Sequence, residues 1–360
     1  MTLKDLAEIT GFSVSVVSRA LSARPDKHTK MSEKTRSIIR EAAEKHGFRS
    51  NLTASCVRKK KRPAITIFQH RSGGSATADL MNGFAQQSTA AGLPLMFNFV
   101  DCYTNVMDYV SNAHEFQQNI GCIIRHMHSW QGDPEKLSES LHRYCHGGGK
   151  LLLVGESLYH PVVRSLRDLD KDCFSTVSYD NAAGGRIAAE YLIRKNCREC
   201  FTFSPINNLW LKDRFESFSS TLQSAGIRVT DLGEKRSIET SFPFLLERMN
   251  KGRTASPVGV FDSSSVINHF NVFSAHHGIF AGKGYFPVKY NYDNTLVMST
   301  CPFTPSIAQD YYTMGRMAIS MIVRLLKGEK VEPVVFTPEL IEKPLEGYYL
   351  TQEYGRDLIQ

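Results

Sequence analysis

From residue 64 onward, short apolar runs alternate with longer amphipathic stretches, and this alternation narrows the fold more than any other feature. The apolar runs fall at 64–68, 94–100, 121–127, 150–155, 200–205, 257–262 and 286–293. Helical periodicity occupies stretches between them, at 78–91, 182–195, 212–226 and 311–327. Strands separated by helices join the same sheet in parallel, with helices on both faces, so the pattern predicts an α/β body of doubly wound parallel sheets. In such sheets ligands bind beyond the carboxyl ends of the strands. At 360 residues the chain is long enough for two or three domains. It contains no G-x-G-x-x-G, and GIFAGKG at 278–284 lacks both the spacing and the Ser/Thr of a phosphate loop, so no cofactor is expected.

Charge separates a head from this body. Residues 1–63 carry 15 Lys and Arg against 6 Asp and Glu, whereas the remainder carries 28 against 30. A basic module on a near-neutral body is the electrostatic footprint of nucleic-acid binding. A disordered basic tail would lack apolar periodicity, and this head has it. Leu3, Leu6 and Ala7 share one helical face, Val16, Val17, Ala20 and Leu21 a second, and Ile38, Ile39, Ala42 and Ala43 a third. Gly11 and Phe12 separate the first two helices, and Ser13 and Ser32 are suited to cap the second and third. The order is that of a helix-turn-helix, whose second helix enters the major groove by its N-terminal part. Candidate DNA contacts are therefore Ser13, Val14, Ser15, Ser18 and Arg19. Arg19 is able to grip a guanine, Val14 to touch a thymine methyl, and Ser15 to bond base or phosphate. Thr2, Lys4, Lys34 and Arg36 sit near helix ends, where phosphates would be met.

TLKDLAEITGFSVSVVSRAL, at 2–21, resembles the opening of lac-repressor-like (LacI/GalR family) transcriptional regulators, and KMSEKTRSIIREAAEKHGF resembles their support helix. The connection ARPDKHTK is longer than the family's usual one. In the segment after Phe48, Asn51, Thr53, Ala54 and Val57 match hinge-helix positions, with Ser50 and Val57 replacing the usual proline and leucine. By this resemblance Val57 would enter the minor groove with less reach than leucine. The resemblance continues through the body. YDNAAGGRIAAEYLI (179–193), DRFESFSSTLQSAGI (213–227), NYDN (291–294) and SIAQDYYTMGRMAISMIVRLLKGE (306–329) are each similar to a family segment.

The resemblance implies a helix-turn-helix domain at 1–47, a hinge at 48–62, and a two-lobed, periplasmic-binding-protein-like core at 63–360. Its first lobe would take about 64–177 and 309–335, its second about 178–308 and 336–360. It further implies effector contacts at Arg214, Asp293, Asp262, Gln309 and Ser72, with Arg71 beside the last. Asp180 and Asn181 read as a cap and a crossover feature rather than ligand contacts. Ala76 and Thr77 stand where some members carry an aromatic pair; Trp210 and Phe242 are the aromatics left to pack on a sugar.

The remaining motifs read as structural. Cys197 and Cys200 form a lone C-x-x-C with no second pair, and eight scattered cysteines fit reduced packing residues. His126 and His128, and His142, Cys145 and His146, lack the partners of a metal site. No catalytic constellation is visible, so a non-enzyme is expected. With no apolar run of ~18 residues and no signal-like N-terminus, the expected setting is cytoplasmic, without a membrane partner. The expected function is transcriptional regulation, most simply repression, by a homodimer on a palindromic duplex operator under control of a small effector, a sugar by preference. The alternative is a small-molecule sensor with only non-specific DNA affinity.

Overall fold

The computed structural model describes residues 3–21, 31–46, 48, 64–70, 75–116, 119–125, 127, 130–203, 209–232, 238–252, 257–263, 266–291 and 304–342. At the N-terminus, α1 (Leu3–Thr10), α2 (Val14–Ala20) and α3 (Glu33–Lys45) close on one another. Gly11, at φ 71°, turns the chain between the first two in a region that side chains disfavour. Ser13 then caps α2, its Oγ accepting from the Val16 N–H. Leu6, Val17, Ala20 and Ile39 are shut from solvent and form the small core, with Ala7 and Ala43 at its edge. The apolar stripe of α3 is narrower than the sequence suggests. Ile38 lies about 100° round the helix from Ile39 and is 42% exposed.

The body begins with β1 (Ala64–Gln69), α4 (Ser75–Ala91), β2 (Leu95–Phe99), α5 (Tyr103–Phe116), β3 (Asn119–Arg125), α6 (Pro134–His146), β4 (Lys150–Val154), α7 (Pro161–Ser165) and β5 (Phe174–Tyr179). It continues with α8 (Asn181–Arg194), β6 (Glu199–Phe203), α9 (Leu209–Ser224), β7 (Arg228–Asp231), α10 (Ile238–Gly252), β8 (Val258–Asp262), α11 (Val266–His276), β9 (Tyr285–Tyr290) and β10 (Ser306–Ala308). It closes with α12 (Tyr311–Leu326), β11 (Val334–Phe336) and β12 (Glu339–Ile341).

These strands form two six-stranded sheets, ordered β11-β5-β4-β3-β1-β2 and β12-β10-β9-β8-β6-β7. Alternation along each strand supplies two helical layers per sheet. Leu151 and Leu153 of β4 face α5, α6 and α7, whereas Leu152 and Val154 face α4 and α12. Likewise Phe201 and Phe203 of β6 meet α10 and α11, and Cys200 meets α8 and α9. The chain passes between the sheets after β5, after β10 and after β11.

The first sheet is parallel throughout, as the alternation predicts. The second departs from that expectation, because β12 runs antiparallel to β10. Its reason is the crossing. β11 ends at the gap between the sheets, and only Thr337 and Pro338 separate it from β12. The chain thus enters the second sheet from the carboxyl ends of its strands and must run back.

Two helix pairs pack with backbones nearly touching. A Cβ on Gly315 of α12 would stand 2.4 Å from the Leu80 carbonyl oxygen of α4. A Cβ on Gly185 of α8 would stand 2.1 Å from the Arg214 carbonyl oxygen of α9. Overpacking of this kind costs about 1–3 kcal/mol. Gly185→Ala is therefore expected to destabilise the fold by that order, read as a lower urea midpoint; an unchanged midpoint would show that the α8–α9 crossing has slack.

A second prediction concerns pH. His160 is buried and caps α7, its Nδ1 accepting from the Val162 N–H at 3.3 Å. Burial pushes its pKa down from 6.5 to about 4. The folded state thus binds fewer protons than the unfolded one, and stability falls as pH drops from 6.5 toward 4, by up to about 3 kcal/mol. His160→Asn keeps a capping acceptor, and thermal melts of this variant across that window are expected to lose much of the slope.

Candidate functional site

Strand carboxyl ends and helix N-termini from both sheets converge on one cavity of about 150 Å³, room for about five waters. Its first-sheet side comprises Ala76, Thr77, Arg125, Gly155 and Tyr179, together with Tyr311 and Met314 at the start of α12. Its second-sheet side comprises Asn181, Trp210, Arg214 and Asn291, and Gln309 lies on the crossing between them.

Arg214 is the centre of this arrangement. Its side chain is 3% exposed; Nε donates to Asn181 Oδ1 at 2.9 Å and Nη2 to Gln309 Oε1 at 3.4 Å. The guanidinium carbon lies 3.5 Å from the Tyr290 ring centroid and 4.3 Å from that of Trp210. Contacts of this kind contribute about 2 kcal/mol when desolvated. Among the described residues Nη1 has no hydrogen-bond partner, and neither has Asn291 Oδ1. Burial lowers the Arg214 pKa, opposed by the neighbouring Tyr290 and Tyr311. Tyr311 Oη donates to Gln309 Oε1 at 2.6 Å, so the acceptor that holds Arg214 is itself held.

The glycine pair of α8 explains how these groups meet. Gly185 admits the α9 backbone at Arg214, and Gly184 admits the Tyr290 hydroxyl, which would stand 1.6 Å from a Cβ there. Across the cavity Arg125, at the end of β3, is 2% exposed and donates from Nη1 to Gln69 Oε1 at 3.0 Å. Burial pulls its pKa down to about 10, partly countered by Tyr311 and Glu156. Glu156 in turn accepts from the Met127 N–H at 2.8 Å. A direct bond also ties the two sides: Ser157 Oγ, after β4, donates to Asp213 Oδ2 of α9 at 3.0 Å.

Of the effector residues expected from sequence, Arg214 and Gln309 meet here. Asp262 does not line the cavity. It is fully buried at the end of β8, and its Oδ2 accepts from the Ile267 N–H at 2.8 Å, committing the carboxylate to the start of α11. Ser72, Arg71 and Asp293 lie outside the described residues. Asp180 is a cap, accepting from the Ala183 N–H, and its neighbour Asn181, at the crossing after β5, lines the cavity. Phe242 packs among Phe203, Phe270 and Phe273 in the core. Arg125, Tyr179, Asn291 and Tyr311 went unnoticed in the sequence. Their common signal, a polar or aromatic residue at or just past a strand's carboxyl end, was available for Arg125 in GCIIRHM.

On the head, Ser13, Val14, Ser15, Ser18 and Arg19 form one exposed face at the start of α2. Arg19 Nε donates to the Ser15 carbonyl at 3.1 Å, and Ser13 and Ser15 hydroxyls lie 3.0 Å apart. Lys4 and Lys34 are exposed, while Arg36 pairs with Glu33 at 3.0 Å. Thr2, Asn51, Thr53, Ala54 and Val57 lie outside the described residues. Cys197 and Cys200 are buried packing residues whose thiol pKa values burial raises. His142 and His146 stack on α6, and among the described residues no cluster of three metal-ligand side chains forms.

Two α/β sheets with a cavity at their shared carboxyl edge define a two-lobed α/β fold, here preceded by a three-helix head. No family model matches the chain. It is 23% identical over 239 residues to the HTH-type transcriptional regulator MalR of Clostridium butyricum, a match spanning 64% of either chain, under two thirds of that relative's length. The solved lac repressor dimer bound to operator and the anti-inducer ONPF superposes with a TM-score of 0.60 at 17% identity, covering 95% of this chain and 98% of the other. The transcriptional regulator CelR–cellobiose complex gives 0.56 at 17% identity, with the same coverage. A periplasmic binding ribose operon repressor protein from Lactobacillus acidophilus gives 0.58 at 13% identity, covering 78% and 97%. In sequence and fold, the chain resembles the lac-repressor-like (LacI/GalR) family.

The Ser157–Asp213 bond carries a prediction. Burial raises the Asp213 pKa above 3.8, against the Ser157 hydrogen bond, which lowers it. Its contribution to stability is therefore full below pH 3.8 and is lost as pH rises through the folded value. Asp213→Asn keeps an acceptor for Ser157 without the charge. It is expected to raise the melting temperature slightly at neutral pH and to flatten the acid side of the profile.

Proposed function

We propose that this protein is a homodimeric, sequence-specific DNA-binding regulator of transcription, by preference a repressor, controlled by a small polar effector in the cavity between its lobes. The carrying observation is the exposed start of α2, where Val14, Ser15, Ser18 and Arg19 share one face of a basic, independently cored head. That face suits a major groove: Arg19 keeps Nη1 and Nη2 for a guanine edge, and the cap at Ser13 holds the helix end near phosphate. The hinge positions Asn51, Thr53, Ala54 and Val57 would follow the chain into the minor groove.

Domain limits at 1–47, 48–62 and 63–360 accompany this reading, as does a carbohydrate-like effector touching Arg214 and Gln309, with Asp293 and Ser72 as further contacts. The cavity supports an effector, because among the described residues its polar groups include the unpartnered Arg214 Nη1 and Asn291 Oδ1. A second copy is supported by Met96, Phe97 and Phe99, exposed on the edge strand β2. Coupling would run through the three crossings: ligand alters how the lobes meet, and the lobes alter how two heads are presented. No catalytic role is part of this reading, and a cytoplasmic setting is.

The test is selection of bound sites from a random duplex pool, followed by affinity measurement across a salt series. A palindrome with a steep salt slope is expected, and Arg19→Ala is expected to cost about 1–3 kcal/mol and relax the site at one base pair. Weak binding without enrichment, with or without added metabolites, would favour the sensor alternative.

A further inference from the structure

The effector's chemistry can be taken further, on the premise, proposed above, that the cavity is the effector site. Asn291, just past β9, holds φ at 64°. Side chains disfavour positive φ, and among the described residues every other position there but one is a glycine. The exception, Asn196, follows the end of α8 and donates its N–H to the Ile193 carbonyl at 2.9 Å, an ordinary use of asparagine past a helix. Asn291 ends no helix. Its backbone N–H donates to the Ile307 carbonyl of β10 at 3.0 Å, a bond that glycine would make equally well. The turn therefore accounts for the conformation and not for the side chain.

That side chain belongs to the cavity lining, and its Oδ1 is buried without a donor among the described residues. An unmet buried acceptor lowers stability. The chain thus keeps, at one place beside the cavity, both a disfavoured backbone and an unmet acceptor. Arg214, on the same second-sheet side, supplies the complement. Asn181 and Gln309 hold its Nε and Nη2, and two rings hold the guanidinium plane, so the unpartnered Nη1 is a donor fixed in advance of any ligand. A hydroxyl accepts and donates at once, which suits this pair. The cavity, at about 150 Å³, is well below the roughly 300–1,000 Å³ of sites for drug-sized ligands. We propose that Asn291 is a specificity-determining contact for a small polyhydroxylated effector of about five or six carbons. Its Oδ1 accepts from one hydroxyl of that effector, while Arg214 Nη1 donates to the same oxygen or its neighbour.

The experiment uses the full-length chain and a panel of pentoses, hexoses, their alditols and their sugar acids. Calorimetry reads binding, and thermal melts without ligand read stability. At least one member is expected to bind the wild-type chain, and Asn291→Gly is expected to bind it about tenfold or more weakly. Without ligand, the same variant is expected to melt at the wild-type temperature or above, because glycine relieves the backbone and removes the unmet acceptor. A residue kept for the fold alone would give the opposite pair of results. Asn291→Asp keeps an acceptor and tolerates the same φ, and is expected to retain most of the affinity. Among monodeoxy analogues of the tightest member, the one lacking the hydroxyl that Asn291 reads is expected to bind wild type and Asn291→Gly alike.

The proposal is overturned by any of five results: no binding by any member, Asn291→Gly binding as tightly as wild type, a lower ligand-free melting temperature in that variant, Asn291→Asp losing as much affinity as Asn291→Gly, or every monodeoxy analogue separating wild type from Asn291→Gly as its parent does. Arg214→Lys, with an unchanged far-ultraviolet spectrum, tells the two readings apart. A ligand weakened by that change and not by Asn291→Gly would keep the cavity as the effector site and remove Asn291 from it. A ligand indifferent to both changes would remove the cavity itself. Operator selection tests the regulator reading independently of either.

Discussion

Everything in the body depends on one constraint: both sheets present the carboxyl ends of their strands to the same gap. A strand's last residue cannot be covered by its own sheet, and the helix that follows begins beside it. The cavity is therefore walled by ends rather than by faces. Arg125 closes β3, Tyr179 closes β5, Asn291 follows β9, and Asn181 and Tyr311 open α8 and α12. The side-chain amides of Asn181 and Gln309, brought to those ends, accept from the buried Arg214 guanidinium between the Tyr290 and Trp210 rings.

The helix pairs serve that constraint. Gly184 and Gly185 bring Tyr290 and the α9 backbone against α8, and Arg214 is thereby inserted between an aromatic ring and the Asn181 amide. In the first lobe Gly315 brings α12 against α4 in the same manner. Small residues thus fix distances within each lobe, while the hydroxyl–carboxylate bond from Ser157 to Asp213 joins the lobes directly. Rigidity lies within the lobes and economy lies between them.

Much of this was legible in the sequence, and the physical reason differs by element. Strands β1, β3, β4, β6 and β8 are buried on both faces and read as continuous apolar runs. β5 carries Ser175, Thr176 and Ser178 in a buried position and hides among polar residues. β10, β11 and β12 are three residues each, too short for any period to register. Arg214 was legible because its motif surrounds it. Asp262 lies off the cavity lining, since an acid at a strand end is equally good at capping the next helix. Arg125 stood in plain view, but nothing local distinguishes a buried arginine from a surface one; burial is set by α12, nearly two hundred residues later.

The three crossings give the molecule a lever. They lie at residues 179–181, 308–311 and 336–339, and Tyr179, Asn181, Gln309 and Tyr311 both belong to them and line the cavity. On the proposed coupling, a ligand there would rest on the axis of lobe rotation, where displacements are smallest. The chain enters the first lobe at Ala64, at the far end of a six-residue strand, roughly 20 Å from that axis. On that coupling, a rotation small enough to leave every contact of the ligand intact would be magnified where the chain arrives from the head.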